Sequence, residues 1–337
     1  MSYLGIDLHS NSLTVCYRTQ QGKERLCTFA LKDLDAFGKT LRKRDRVAVE
    51  ATGNTRWFVE QIRRRVKEVI VVDPNKFEVI TKSVNKTDKH DAKTLAYFLS
   101  KDMLPQARIK DEQTAQLHSL AETRDKLVKQ RTALVNKIHN VLNSHGLKWR
   151  KETLTQEKGL KSIAAREWKP IVRVELEVLA DQIRSLNKNI KTLDQQMIDN
   201  GQKLKGHKNL ASIKGIGEKS ATVLLSVIGN VKDFANEDKL SAYFGIVPRV
   251  SNSNETVHHG RITKRGSKLG RTTLVQCTLI AIRYSPYLRR FYDRIKLRRG
   301  SGKAIIATSR KFLGIIYNTL INDWIFEDFP NFILAKT

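Results

Sequence analysis

Residues 3–17 read YLGIDLHSNSLTVCY. Apolar side chains alternate at Ile6 and Leu8, then at Leu13, Val15 and Tyr17, with Asn11-Ser12 between them as a turn. Period-two alternation either side of a short polar turn is the signature of two hairpin-linked strands. A second turn at Gly22 continues the meander. RVAVEAT (46–52) reads as another strand, TRWFVEQIRRRV (55–66) as a helix, and EVIVVDPN (68–75) as a buried strand stopped by Pro74. Thr87 is placed to cap a helix through Ala92, Leu95, Ala96 and Phe98 that ends by Pro105. The order strand–strand–helix–strand–helix calls for a mixed sheet covered by helices, an α/β domain.

Outside that block the pattern turns helical. Leu117, Leu120, Leu127, Leu134, Ile138 and Val141 follow a heptad, with Arg124 and Arg131 at two core-type positions and Gly146 interrupting it. Leu176, Leu179, Ile183, Leu186, Ile190, Leu193 and Met197 form a second, uninterrupted heptad. Two such helices make an antiparallel hairpin, an intermolecular coiled coil or a bundle within one subunit. The two arginines suggest a first seam that is partly wet or touches phosphate. ASIKGIGEKSATVLLSVIG (211–229) has the form of a helix-hairpin-helix, whose Gly215-Ile216-Gly217 turn can present backbone N–H groups to a phosphate. LSAYFGIVPR (240–249) then leads to a polar loop, SNSNETVHH (251–259), and to the basic segment GRITKRGSKLGR (260–271). Between Arg283 and Lys311 ten Lys/Arg accompany the single acid Asp293, with Tyr284, Tyr287, Phe291 and Tyr292 interleaved. That stretch is expected to be an amphipathic helix showing its charges to phosphate.

The chain has 337 residues, 62 Lys+Arg against 34 Asp+Glu, and a formal net charge of +28. Such a balance indicates a polyanionic partner, DNA or RNA. No apolar run approaches the roughly 18 residues of a spanning helix. Polar residues from Asp7 to Ser12 also break any signal-peptide core, which favours a cytoplasmic, nucleoid-associated protein. Cys16, Cys27 and Cys277 lack metal spacing and read as reduced core thiols.

Within so basic a chain, four acids stand out. Asp7 and Glu50 lie on apolar strands, where an unpaired carboxylate is costly. Asp88 and Asp91 are spaced i,i+3, on one helix face. Phosphodiester cleavage uses two metal ions about 4 Å apart, held by hard oxygen ligands, to activate the attacking oxygen and stabilise the leaving one. The four acids are therefore candidate catalytic residues and metal ligands.

GIDLHSNS, VAVEATGNT, VVDPN and KTDKHDAKTLA, together with the ordered C-terminal motifs quoted above, resemble the DEDD transposases of bacterial insertion sequences. That family includes the Piv-type DNA invertases and bridge-RNA-guided serine recombinases. The resemblance covers nearly the whole chain. It implies a ribonuclease-H-like (RuvC-like) catalytic domain over 1–108, a helical coiled-coil connector over 109–205, and a mainly helical transposase domain over 206–337. It implies Mg²⁺, with Mn²⁺ as the alternative, at Asp7, Glu50, Asp88 and Asp91. The family's nucleophilic serine lies between a Gly-x-x-Pro element, here Gly245 to Pro248, and a Gly-Arg-Ile-[Ser/Thr]-Lys element, here Gly260 to Lys264. Counted from Pro248 the match is Ser253, with Ser251 as the fallback; Asn254 and Glu255 replace the glycines that often follow.

Attack by a serine hydroxyl leaves a phosphoserine link and frees a sugar hydroxyl, retaining bond energy for rejoining. Arg249, Arg261, Lys264 and Arg265 are candidate clamps on the scissile phosphate, and Lys268 and Arg271 further nucleic-acid contacts. His258 and His259 are expected to meet solvent or phosphate. The resemblance further implies donor and target DNA, a noncoding guide RNA in some members, and a homodimer or homotetramer. Two other readings remain at this level, a Holliday-junction-type metal-dependent endonuclease and a non-catalytic architectural nucleic-acid-binding protein. The first needs only the acids and water, so alanine at Ser253 separates it. The second predicts no effect of Asp7→Asn or Asp88→Asn.

Overall fold

The computed structural model describes residues 1–74, 76–77, 87–253 and 256–335, with backbone alone at 251–253 and 256–259. The chain forms two compact units, Met1–Ile109 and Lys110–Thr337.

The N-terminal unit is built on β1 (Ser2–Leu8), β2 (Ser12–Thr19), β3 (Glu24–Ala30), β4 (Arg46–Glu50) and β5 (Glu68–Val72). Their order in the sheet is β3-β2-β1-β4-β5. β1, β2 and β3 pair antiparallel, whereas β4 runs parallel to β1 and β5 parallel to β4. Helices α1 (Leu34–Thr40), α2 (Thr55–Ile62) and α3 (Asp88–Ser100) complete it. Strand alternation decides what each face carries. Leu4, Ile6, Leu8, Val47 and Val49 join Phe37, Phe58 and Ile62 in one core. The opposite face offers Gly5, Cys16 and Ala48, and there Ala92, Ala96, Leu95 and Leu99 of α3 complete two smaller cores. The hairpin, the strand ended before Pro74 and the Thr87 cap all stand where the sequence placed them.

In the second unit, α4 (Glu112–Ser144) and α6 (Pro170–Gly201) carry the two heptads, with α5 (Glu157–Ala164) between them. Arg124 Nε donates to Asp194 Oδ1 at 2.6 Å, Arg131 Nη1 to Asn187 Oδ1 at 2.8 Å, and Lys137 pairs with Glu175 at 2.8 Å. Ascending numbers on one helix meet descending numbers on the other, so the pair is antiparallel and within one chain. The seam arginines thus meet α6 side chains in a seam that is partly wet, the Arg124 side chain being 31% and that of Asp194 21% exposed.

Helices α7 (His207–Ala211) and α8 (Glu218–Ile228) flank the Gly215-Ile216-Gly217 turn. Gly215 has φ 113°, and a Cβ there would lie 2.8 Å from the Ala281 nitrogen, so the close helix-turn-helix needs glycine. Then come α9 (Glu237–Tyr243), β6 (Pro248–Ser253), β7 (Thr256–Ile262), α10 (Lys268–Tyr284) and α11 (Pro286–Ile321). A short ribbon of β8 (Phe326–Asp328) and β9 (Ile333–Leu334) closes the chain.

Two expectations are corrected here. The segment read as a polar loop is mostly an antiparallel ribbon, β6 on β7, with Ser251 opposite His258 and Ser253 opposite Thr256. Its β-branched residues, Val250, Thr256, Val257 and Ile262, favour pleated backbone despite the polar neighbours. The basic stretch 283–311 is not one helix. It breaks at Ser285, which caps α11 through its hydroxyl, and kinks at Gly300, whose φ is 77°. Cys16 and Cys277 are buried free thiols, while Cys27 is half-buried. Burial, with the charge of Glu24 adding to it, pushes the Cys16 thiol up to about 11. Among the described residues, no helix is long and apolar enough to cross a membrane.

Candidate metal centre

The acids come together because α3 lies almost on the backbone of β1. A Cβ on Gly5 would sit 2.1 Å from the Ala92 carbonyl oxygen and 2.3 Å from the Ala96 nitrogen. Glycine on the strand and two alanines one turn apart on the helix therefore set the spacing. Asp7 shares the Gly5 face of β1, two residues on. The helix that covers this face begins at Asp88, because the Thr87 hydroxyl accepts from the His90 amide at 3.2 Å and starts it there. Asp88 and Asp91 thereby occupy the first turn, whose free N–H groups favour negative charge. Asp91 is buried and Asp88 exposed.

Asp7 Oδ2 lies 3.3 Å from His9 Nε2, which lies 3.4 Å from Asp88 Oδ2. One ligand atom each from Asp7, His9 and Asp88 fall within 4.8 Å of one another, a separation that one divalent ion can span. Burial raises the Asp7 carboxyl above its ordinary value; His9 opposes this, and the charges of Asp88 and Asp91 add to it. A half-buried carboxylate crowded by two more acids is short of positive charge, and hard oxygen donors of this kind suit a divalent cation.

Glu50 ends β4, where the ladder places Ile6 beside Val49, so Asp7 and Glu50 follow at adjacent strand ends. It shares the α3 face with Ala48. Its carbonyl accepts from the Thr55 hydroxyl at 2.6 Å, which fixes the turn into α2. Glu50 and Asp91 stand outside the 4.8 Å triad. His9, which the sequence did not single out as a ligand, stands inside it. The available signal was its place in the β1–β2 turn, two residues beyond Asp7.

In the second unit, Ser251 and Ser253 lie on β6, and their side chains are outside the described residues, as are those of His258 and His259. Arg249, Arg261, Lys264, Arg265 and Lys268 are exposed, and none makes an ion pair with another described residue. Lys264 adopts φ 54° in the tight turn after β7. Arg271 has a structural engagement as well. Its Nη1 donates to the carbonyls of Phe244 (3.2 Å), Arg265 (3.0 Å) and Gly266 (3.0 Å), tying that turn to the start of α10.

Two family models match the chain in order. One, a transposase model of the DEDD type, covers residues 4–146, and the other, described as transposase IS116/IS110/IS902 family, covers 207–293. The chain carries both domains of the IS110/IS116 transposase family and belongs to it. Relatives include a probable family 20 transposase of Pseudomonas aeruginosa, 26% identical over 70% of this chain and 71% of its own. The transposase for insertion sequence element IS1111A of Coxiella burnetii is 26% identical over 81% of this chain and 77% of its own. The pilin gene-inverting protein of Moraxella lacunata is 26% identical over 94% of each. Asp7, His9, Glu50, Asp88 and Asp91 of this transposase fall inside the first matched domain, and Ser251 and Ser253 inside the second.

Proposed function

We propose that this transposase cuts and rejoins the DNA of a mobile insertion sequence with a divalent-metal centre at Asp7, Glu50, Asp88 and Asp91 and a serine nucleophile, Ser253. The closure of α3 over Gly5, which brings the Asp88 carboxylate to that of Asp7, is the observation that carries it. The mixed sheet in the order β3-β2-β1-β4-β5 supports a ribonuclease-H-like, RuvC-like domain around that centre.

Mg²⁺, or Mn²⁺ in its place, supplies charge neutralisation at the scissile phosphate and a lowered pKa at the attacking oxygen. The four acids hold and orient that charge. Ser253 Oγ bonds to the scissile phosphorus and gives its proton to a base, while the phosphorus–oxygen bond to the sugar breaks and the departing oxygen takes a proton from a general acid, leaving as a sugar hydroxyl. Reversal with a hydroxyl from a second DNA end reseals the strand and restores the serine. Arg249, Arg261, Lys264, Arg265, Lys268 and Arg271 bind the nucleic-acid backbone. Target choice is delegated to a noncoding guide RNA, and a homodimer or homotetramer holds donor and target DNA together in the cytoplasm, at the nucleoid. The +28 charge fits RNA and DNA backbones alike.

The test traps the intermediate. Wild-type protein with Mg²⁺ and cognate DNA gives a denaturant-stable protein–DNA adduct, whereas Ser253→Ala gives none and Asp7→Asn neither adduct nor cut DNA. Adduct formation by both variants overturns the proposal.

A further inference from the structure

We propose that His9 is a metal ligand of this centre, binding through Nε2 and shifting its preference from Mg²⁺ towards a divalent transition ion such as Mn²⁺. The inference rests on the metal-centre reading above and adds a nitrogen donor to it. His9 Nε2 reaches both carboxylates, at 3.3 Å from Asp7 and 3.4 Å from Asp88. As an ion pair this geometry is poor. Both separations exceed the roughly 2.7–2.9 Å of a charge-assisted N–H···O bond, and a single N–H cannot point at two acceptors at once. As the spacing between neighbouring ligands of one ion it is good, since such ligands of an octahedral ion at about 2.1 Å stand about 3 Å apart.

The backbone holds the imidazole's place from both sides. The His9 amide donates to the Ser12 carbonyl at 2.9 Å, closing the β1–β2 turn. Its own carbonyl accepts from Asn54 Nδ2 at 3.0 Å, which ties the turn to the loop after β4. Leu31 N–H reaches the Asn11 carbonyl at 2.8 Å and pins the same turn from β3. These bonds fix the backbone of residue 9, and the imidazole's own contacts are with Asp7 and Asp88. Half of its side chain stays open to solvent, so an ion can approach without the fold parting.

Imidazole nitrogen is a borderline donor that transition ions accept and Mg²⁺ largely declines, so His9 should discriminate between metals that four carboxylates would treat alike. The experiment uses the full chain loaded with Mn²⁺ alone and pulsed electron paramagnetic resonance, with ¹⁴N and ¹⁵N-histidine protein. The expected result is a directly bound histidine nitrogen coupling in the wild type that disappears in His9→Gln while Mn²⁺ stays bound. Calorimetry should find Mn²⁺ weakened about tenfold in His9→Gln and Mg²⁺ by less than about threefold. Mn²⁺ that Asp7→Asn displaces but that carries no nitrogen coupling overturns the His9 assignment and leaves the carboxylate centre standing. A coupling that persists in His9→Gln overturns it too. A wild-type chain that binds no Mn²⁺ removes the centre, and His9's role with it.

Discussion

Asp7 and Asp194 are both carboxylates partly withdrawn from water, yet their surroundings have opposite sign. Burial raises the Asp194 carboxyl, but hydrogen bonds from Arg124 at 2.6 Å and Lys219 at 2.8 Å, with their charges, outweigh it and hold the group below its ordinary value. Burial also raises Asp7, and there Asp88 and Asp91 add to the rise against the single opposing His9. The α4–α6 seam brings its own cations. The C-terminal ends of β1 and β4, with the first turn of α3, gather acids, and there the proposed divalent ion would supply the positive charge. One carboxylate completes an ion-pair network; the other sits among acids, the contrast expected between a structural pair and the proposed metal site.

The sharpest way to break this contrast is Asp7→Asn. DNA cleavage should fall by about 100-fold or more, while the metal-free protein melts no lower than wild type, because a crowded charge has been removed. A matched loss of stability would make Asp7 a structural acid like Asp194. Gly5→Ala attacks the same centre through packing. Its Cβ must displace α3, so unfolding in urea should register a loss of about 1–3 kcal/mol together with reduced cleavage. Asp194→Asn should cost about 1–2 kcal/mol, discounted for the exposure of Lys219, and leave metal binding unchanged.

Acid titration of the metal-free chain separates the two signs. Asp194, with its folded pKa depressed, stabilises above the ordinary 3.8 and loses that contribution as pH falls through its folded value. Asp7, with its folded pKa raised, works against folding once it ionises, so its unit gains stability as pH falls through the folded value towards 3.8. Melts between pH 3 and 6 should therefore lose part of their acid sensitivity in Asp194→Asn and gain some in Asp7→Asn. The smallest effect is kept for a control. Arg173 and Glu177 form an exposed i,i+4 pair on α6, and Glu177→Gln should change stability by less than about 0.5 kcal/mol.

What could be read in the sequence was local. The β1–β2 alternation, the strand stopped before Pro74, the Thr87 cap and the i,i+3 acids each depend on a few neighbouring residues, and so they were legible. Long-range partners were not. His9 is a turn histidine until α3, about eighty residues on, brings Asp88 to it. The partners of Arg124 and Arg131 could not be named, because Asp194 and Asn187 are 70 and 56 residues away. The β6–β7 ribbon was hidden by its polar side chains, which carry no hydrophobic alternation in a two-stranded ribbon. The break at Gly300 was in plain view as Gly-Ser-Gly, but the density of Lys and Arg around it read as one continuous face.

The central claim is that the acids at the C-terminal ends of β1 and β4 and in the first turn of α3 are built to take a divalent cation. Mg²⁺ titration of the full chain by isothermal calorimetry, wild type beside Asp7→Asn, tests it most directly. Saturable heats in the wild type that vanish in Asp7→Asn, with Asp194→Asn indistinguishable from wild type, are the predicted result. Equal isotherms for wild type and Asp7→Asn would contradict it.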